Sequence, residues 1–216
     1  MNSTVNFILI FVIMTDLALL GISRRSVCIR IVAYQGIVLG FLPLLIHDES
    51  IAFGAILLSM ATILLKGIVF PRLLVRAERT AGIKHEFEPI IGYTASIMLG
   101  VLLLTLSMWL GEQLPLPPAL SLPSKLVLPS SLFTILVGLL LIIIRNKALT
   151  QVLGYLVLEN GIYIFGVSLV REQPLLVEAG ILLDVFVGVF VMGIAIFHIS
   201  REFDHMDVDQ LTILKD

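Results

Sequence analysis

The feature that most constrains this chain is its series of long apolar runs. Seven runs have about the 17 to 25 residues that cross a bilayer as a helix: 5–22, 29–46, 51–71, 90–111, 126–144, 149–170 and 174–199. Hydrophobic residues make up 58% of the chain and charged residues only 14%, whereas a soluble domain is about one-quarter charged. The sequence therefore predicts an all-α, polytopic membrane protein with seven transmembrane helices.

The loops between these runs differ in their content of basic residues. Most of the arginines and lysines follow the first, third, fifth and seventh runs, beginning with Arg24, Arg25 and Arg30. The positive-inside rule therefore places the N-terminus outside and the C-terminus in the cytoplasm. We expect a cysteine introduced near Ala119 to be labelled from outside intact cells, and one near Asp209 to be protected.

The runs and loops divide the chain into four segments. Residues 1–89 hold the first three helices and a cytoplasmic loop, 71–89, in which a short interfacial helix is expected. Residues 90–125 hold the fourth helix and a proline-rich outer loop, 126–200 hold a three-helix unit, and 201–216 form a cytoplasmic tail expected to dock on a partner subunit. Short similarities, such as "YQGIVLGF" with "ENGIYIFG", suggest a parallel three-helix repeat, although chance matches between apolar segments are common.

Five ionisable residues lie inside the apolar runs: Asp16, Lys66, Glu159, Glu178 and Asp184. A charge at the bilayer centre costs about 3 kcal/mol or more, so such residues usually face another helix or internal water. The rise of about 1.5 Å per residue places Glu159 and Asp184 near the middle of the membrane. Lys66 and Asp16 lie nearer the cytoplasm, where they could pair, and Glu178 lies nearer the outer face.

Helical spacing places polar residues on common faces. On the sixth helix they recur every four positions and form one stripe: Gln151, Tyr155, Glu159 and Tyr163. On the seventh helix Asp184 lies between Gly180 and Gly188, small residues that let a neighbouring helix come close. Two interpretations stay open, namely ion pairs and hydrogen bonds that fix packing, or protonatable groups of a proton or ion path. No catalytic constellation is recognisable, so an active site in this chain is not predicted.

The C-terminal part of the chain resembles a known family. The segments "RNKALTQVLGYLVLENGIYIFG" and "ILLDVFVGVFVMGIAIFHISREFDHMDVDQLTILKD" look like hydrogenase-4 component E, a membrane subunit of formate hydrogenlyase-type group 4 nickel–iron hydrogenases. The match is carried by "ENG", "LVEAGILLD" and "DVDQLTILK". Length and number of spans extend the resemblance over the whole chain, and its specific motifs lie in about the last seventy residues.

That family is similar, over its last three helices, to the K-type subunit of respiratory complex I and to the C subunit of multisubunit Na⁺/H⁺ antiporters. In the K-type subunit, glutamates of the middle and last helices are implied in a proton route. Asp184 matches the last-helix acid, and Asn160 matches an asparagine of the middle helix. The middle-helix glutamate itself falls at Leu156, so Glu159 is displaced by about one turn. Lys66 lies in a third helix that also carries a lysine in component E.

The resemblance implies a non-redox membrane-arm subunit in a prokaryotic plasma (inner) membrane. Glu159 and Asp184 would carry protons and Lys66 would modulate charge, with supporting roles for the remaining polar residues: Asn160, Tyr155, Tyr163, Gln151, Asp16 and Glu178. The implied partners are antiporter-like and H-type membrane subunits, soluble nickel–iron hydrogenase and iron–sulfur subunits, and membrane lipids, but no nucleic acid. No cofactor is expected in this chain, which has one cysteine, Cys28. The metal centre and clusters would lie in the partner subunits.

Two alternatives remain open at this point. The chain could belong to a multisubunit cation/proton antiporter or an ion-driven uptake complex that has no redox partners. It could also be a structural spacer that seals a complex against lipid. The proteins that co-purify with the chain distinguish the first alternative, and neutral replacement of the buried acids distinguishes the second.

Overall fold

The computed structural model describes residues 2–46, 53–80, 91–114, 122–145, 148–169 and Gly180, and these residues are almost entirely helical, without a strand among them. The α-helices are α1 (Asn2–Gly21), α2 (Arg25–Gly40), α3 (Leu42–Ile46), α4 (Phe53–Thr62), α5 (Phe70–Thr80), α6 (Tyr93–Gln113), α7 (Val127–Ile144) and α8 (Ala148–Leu169). A π-helical segment, Ile63–Val69, joins α4 to α5.

Within the described residues, five helical stretches are long and apolar enough to cross a membrane: Ser3–Gly21, Arg25–Ile46, Ala55–Arg76, Tyr93–Gln113 and Val127–Ile144. Helix α8 has 22 residues and is therefore about 33 Å long, sufficient for another span. The predicted all-α membrane architecture is confirmed for the described residues. The seventh predicted helix and the C-terminal tail lie outside them, apart from Gly180.

The second and third helices differ from their predicted limits. The second begins at Arg25 rather than at residue 29, and Arg25, expected in a loop, is 5% exposed. It is interrupted at Phe41, because Pro43 has no N–H to donate to the carbonyl of Leu39. The third continues to Thr80, so the first part of the predicted cytoplasmic loop is a direct extension of the spanning helix.

A proline explains the π-helical segment. In a regular α-helix the ring of Pro71 would clash with the carbonyl of Gly67, four residues earlier. The wider π turn, in which the amide of Phe70 donates to the carbonyl of Leu65, lets the helix continue through this point. π-Helical segments are rare in proteins, and those that occur are often found at functional sites. Lys66 lies at the middle of this one.

Glycines set the closest helix contacts. Helices α7 and α8 are antiparallel neighbours, and a Cβ atom on Gly138 of α7 would lie 2.4 Å from the backbone nitrogen of Leu158. Helix α2 approaches the π segment in a similar way, since a Cβ on Gly36 would lie 2.5 Å from the Cβ of Lys66. Gly36 and Gly40 form the small-xxx-small spacing that permits such approach in membranes.

The buried residues form layers along the bundle. One apolar cluster includes Leu19, Cys28, Val32, Leu141 and Leu153, and lies toward the end where α7 meets α8. A second apolar cluster lies toward the opposite end: Val5, Leu9, Val12, Leu39, Leu42, Ile46, Val127 and Ile164. Along each helix, the positions between these two clusters are occupied by polar side chains. The fold therefore encloses a polar layer between two apolar ones.

Helix α6 lies at the edge of this bundle. It packs against α1 and α7, with Ser96, Gly100 and Ser107 as its buried residues. Its outer face exposes large apolar side chains, among them Met98, Leu102 and Trp109. An exposed apolar face of this size is rare on a soluble monomer. It is consistent with contact with lipid or with other membrane subunits.

Candidate functional site

The polar layer draws side chains from five segments of the chain. Helix α1 contributes Thr15 and Asp16, α2 contributes Gln35, and α4 with the π segment contributes Thr62 and Lys66. Helix α7 contributes Thr134, and α8 contributes Glu159, Asn160 and Tyr163. Buried polar groups are costly unless they are bonded to one another. This layer is therefore the candidate site.

An ion pair lies at one end of the layer. Lys66 Nζ is 3.1 Å from Glu159 Oε1, and the two side chains are only 5% and 3% exposed. The same ammonium lies 4.9 Å from the centre of the Tyr163 ring, which is within the range of a cation–π contact. Because Gly36 has no side chain, α2 can pack directly over the backbone of Lys66.

The carboxylate of Glu159 is incompletely bonded. Neither of its buried oxygens accepts a hydrogen bond of good geometry from the part of the chain that the structure describes. The 3.1 Å contact with Lys66 is therefore an ion contact, not a well-aligned hydrogen bond. A buried polar group left in this state requires a reason. These two oxygens are open to partners beyond the described residues, such as water or other protein groups.

A directed chain of hydrogen bonds leads from this pair to a second acid. Lys66 Nζ donates to Asn160 Oδ1 at 3.3 Å, and Asn160 Nδ2 donates to Gln35 Oε1 at 3.4 Å. Gln35 Nε2 donates to Asp16 Oδ1 at 2.7 Å and to Thr15 Oγ1 at 2.8 Å. Every donor in the chain lies on the Lys66 side and every acceptor on the Asp16 side. The two amides therefore connect the cation to Asp16 with their dipoles aligned.

Hydroxyl groups complete the layer. Thr134 Oγ1 lies 2.7 Å from Asp16 Oδ2, so each oxygen of this fully buried acid has a partner. At the other end, the hydroxyl of Thr62 donates to the hydroxyl oxygen of Tyr163 at 3.2 Å. Hydroxyl groups can both donate and accept. They therefore accommodate either protonation state of a neighbouring acid.

The structure brings together five of the predicted site residues: Lys66, Glu159, Asn160, Tyr163 and Asp16. Lys66 and Asp16, which could have paired by their depth, are not in contact: Lys66 contacts Glu159 and Asn160 of α8 instead.

Two residues of the predicted stripe on α8 lie away from the polar layer. Gln151 is exposed and donates to the carbonyl of Arg145 at 3.2 Å. Tyr155 packs against the apolar cluster. Asp184 and Glu178 lie outside the described residues.

The sequence reasoning missed Gln35, which is a central residue of this site. It connects Asn160 to Asp16 and is fully buried. Its signal was present in "YQGIVLGF", since an amide in the middle of an apolar span usually bonds to another helix. Thr134, Thr62 and Thr15 were also missed, because a threonine in a membrane helix can satisfy its hydroxyl on its own backbone and gives no distinct signal.

A family model and several known proteins match part of the chain. Residues 126–216 match the family of NADH-ubiquinone/plastoquinone oxidoreductase chain 4L. An uncharacterized protein of Mycobacterium tuberculosis is 35% identical over 88 residues, which are 41% of this chain and 40% of that protein. Hydrogenase-4 component E of Escherichia coli K12 is 39% identical over 80 residues, 37% of each chain, and the same protein of Shigella flexneri matches equally.

These matches span about two-fifths of the length of the curated relatives. No solved structure is significantly similar to the chain. The family match includes α7 and α8, with Thr134, Glu159 and Asn160, whereas Asp16, Gln35 and Lys66 precede it. The predicted resemblance is thus confirmed over about two-fifths of the chain: residues 126–216 are similar to the chain 4L family, and 80 residues are similar to hydrogenase-4 component E.

Proposed function

We propose that this chain is a non-redox membrane-arm subunit of a complex I-like, group 4 nickel–iron hydrogenase complex in a prokaryotic plasma membrane. Its polar layer would form part of a proton or ion path coupled to electron transfer. The observation that carries this proposal is the buried contact of Lys66 with Glu159, held at mid-bundle between two apolar clusters. The similarity of residues 126–216 to chain 4L supports the type of complex.

The chemistry of the layer suits proton handling. Desolvation disfavours the charged form of a carboxyl, and a nearby cation favours it. A small displacement of Lys66 would therefore change whether Glu159 holds a proton. The π-helical segment that carries Lys66 is a structural irregularity at which such a displacement can occur. In this proposal Lys66 controls the charge of the site and Glu159 is a proton carrier.

A purely structural role explains the ion pair less well. A buried salt bridge contributes little net stability, because desolvation of both charges offsets their attraction. The helices already have close contacts without it, at Gly138 of α7 and at Gly36 and Gly40 of α2. Packing alone therefore does not require two charges in the membrane.

The redox chemistry would be in other subunits. One relative is named as a hydrogenase component, and the partners we propose are antiporter-like and H-type membrane subunits, a nickel–iron hydrogenase and iron–sulfur subunits. The nickel–iron centre and the clusters would be in those partners. Asp184, one helix further along the sequence, remains a proposed second proton carrier, and Glu178 a proposed supporting residue.

The test is neutral replacement of the acids in the assembled complex. Glu159→Gln and Asp184→Asn keep the side-chain shape, but an amide exchanges no proton at accessible pH. We expect both variants to assemble and to keep hydrogenase activity with artificial dyes, while ion-coupled activity in sealed vesicles falls at least tenfold. Glu159→Asp should retain more coupling than Glu159→Gln. The matched control is Glu112→Gln, an exposed acid at the end of α6, which should be unchanged.

Two outcomes would reject parts of this proposal. Full coupling in both amide variants would exclude a proton path through these acids, and loss of assembly in both would favour a structural role. The partners are tested by purification in mild detergent, where hydrogenase subunits that contain nickel should co-purify. Antiporter subunits without any hydrogenase would instead assign the chain to a cation/proton antiporter complex.

A further inference from the structure

Asp16 is a buried acid for which the proposed path has no defined role. It lies on α1, ahead of the residues that match chain 4L, and is 0% exposed. Its two described hydrogen-bond partners are Gln35 and Thr134, and both are neutral. The nearest described cation along the hydrogen-bond chain is Lys66, which is itself in contact with Glu159. The layer thus contains two acids and one cation among the described residues.

The hydrogen bonds around Asp16 fit both of its protonation states. Thr134 Oγ1 lies 2.7 Å from Asp16 Oδ2 and 2.9 Å from the carbonyl oxygen of Ser130, on the preceding turn of α7. A hydroxyl has one proton, so it donates to only one of these oxygens at a time. When Asp16 is ionised, Thr134 donates to it. When Asp16 is protonated, it donates to Thr134 and Thr134 donates to Ser130, while Gln35 still donates to Oδ1.

The aligned amides transmit charge between the two acids. The ammonium of Lys66 polarises the amide of Asn160, which in turn polarises the amide of Gln35 toward Asp16. In a medium of low dielectric constant, the successive hydrogen bonds of such a chain strengthen one another. An ionised Asp16 is therefore stabilised most when Lys66 is charged and not already neutralised by Glu159. Among the described residues of the layer, two ionised acids with one cation would leave a net buried charge, which is disfavoured.

The other described charged groups near α1 do not take the place of Lys66 as the cation linked to Asp16. On the faces packed against Asp16, Arg25 and Arg145 lie toward the end of the bundle, where Arg145 Nη2 donates to the carbonyl of Ile22 at 3.4 Å. The thiol of Cys28 points to the carbonyl of Ile22, and Glu112 of α6 is exposed at the end of that helix. Tyr163 bonds to Thr62 and lies on the Lys66 side of the layer.

We propose that Asp16 and Glu159 share the single positive charge of Lys66, so that one acid is ionised while the other holds a proton. This inference rests on the proposed function and adds to it a second, regulatory acid on a different helix. In this proposal the 3.1 Å contact between Lys66 and Glu159 corresponds to the state in which Glu159 is ionised and Asp16 holds the proton. When Glu159 takes up a proton, the charge of Lys66 becomes available through Asn160 and Gln35, and Asp16 releases its proton.

A small cavity lies near Asp16, although Asp16 is not among the residues that line it. It has a volume of about 10 Å³, which is room for roughly one water molecule, and its lining includes Leu19, Val32, Arg145 and Thr150. Leu19 and Val32 lie about one helical turn from Asp16 and Gln35, toward the predicted cytoplasmic end. In the proposal Asp16 exchanges its proton on this side of the layer, and no proton needs to pass through the two amides.

The decisive experiment counts protonated carboxyl groups at neutral pH in the purified complex. Infrared difference spectra between H₂O and D₂O identify the band of Asp16 as the one lost in Asp16→Asn. We expect that same band to disappear, with equal amplitude, in Glu159→Gln, because Asp16 then ionises against Lys66. Glu159→Asp, which keeps the charge, should retain it. Glu159→Leu replaces the charged side chain by an apolar one. It is the substitute variant if Glu159→Gln fails to assemble.

Persistence of the Asp16 band at full amplitude in Glu159→Gln or Glu159→Leu would overturn the sharing of charge. Absence of any band lost in Asp16→Asn would show Asp16 ionised in the wild type and would overturn it as well. The result is separate from the test of coupling. A variant that loses coupling but keeps the Asp16 band supports the proposed function alone, and one that loses the band but keeps coupling supports charge sharing alone.

Discussion

Helix α8 has two different neighbours. On one side it packs against α7, where Gly138, Gly154 and Gly161 bring the two backbones together and the surrounding side chains are largely apolar. On the other side it meets α2 and the π segment, where glycines also permit close approach but the interface encloses Lys66 and Glu159. The first interface shows that this chain achieves tight helix packing without charge. The charges of the second are therefore explained better by function than by packing.

The two interfaces should fail in different ways. In membranes, helix association depends mainly on close packing and much less on individual polar contacts, which average about 0.6 kcal/mol. A bulky side chain at the α7–α8 interface should therefore reduce folding and assembly. A change of charge in the polar layer should reduce ion coupling while the complex still forms. The following variants test this division, in order of decreasing expected effect.

Gly138→Val should have the largest effect, because its Cβ would lie 2.4 Å from the backbone nitrogen of Leu158, which no side-chain rotation can relieve. We expect a loss of about 3 kcal/mol or more in the free energy of unfolding, with little complex recovered from membranes. Recovery and thermal stability in detergent measure it. The control is Gly166→Ala on the partner helix α8, where an added Cβ meets nothing within 4 Å. Normal recovery of Gly138→Val would refute the packing role of this interface.

Gly36→Ala should impair function more than folding. Its Cβ would lie 2.5 Å from the Cβ of Lys66 and push the π segment away from α2, at a cost of about 1–3 kcal/mol. Because Lys66 then moves relative to Glu159, ion coupling should fall several-fold in complexes that still assemble. Gly21→Ala is the comparison, since its nearest contact is the flexible end of the Ile97 side chain. Coupling equal to that of Gly21→Ala would contradict a sensitive Lys66 position.

Gln35→Leu tests the link between the two acids. It removes one donor to Asp16 and the acceptor for Asn160, and we expect a loss of about 1 kcal/mol in stability. The Asp16 carboxyl band should then become insensitive to Glu159→Gln, since the amide chain is broken. Infrared spectra of the double variant measure this. Loss of the band in the double variant would show that the two acids communicate by another route.

Tyr163 should give the smallest effect. Tyr163→Phe removes the oxygen that accepts from Thr62 but keeps the ring beside Lys66, so stability should change by less than about 1 kcal/mol. Tyr163→Leu also removes the ring and should cost about 0.5–2 kcal/mol more. Thermal unfolding in detergent distinguishes the two. Equal effects in both variants would argue against a cation–π contribution.

The sequence was informative about elements and less so about their contacts. Apolar run lengths located most of the described helices to within a few residues, because the bilayer sets that length, but the third helix continues well past its predicted end, to Thr80. The π segment was not foreseen, although Pro71 was its cause, since a proline in a membrane helix has several possible outcomes. Intramembrane charge identified Glu159 and Lys66, but their pairing required the helix arrangement. Depth alone also left a pairing of Lys66 with Asp16 possible, because depth does not tell which helices are neighbours.

The most direct measurement of the central claim replaces both members of the ion pair at once. In Lys66→Met/Glu159→Leu the two charges disappear together and no unpaired charge stays buried, a change that is often neutral or stabilising for folding. We predict normal assembly, thermal stability at or above that of the wild type and normal hydrogenase activity with artificial dyes, but no ion-coupled activity in sealed vesicles. Full coupling in this variant, or a complex that no longer assembles, would contradict a functional role for the buried pair.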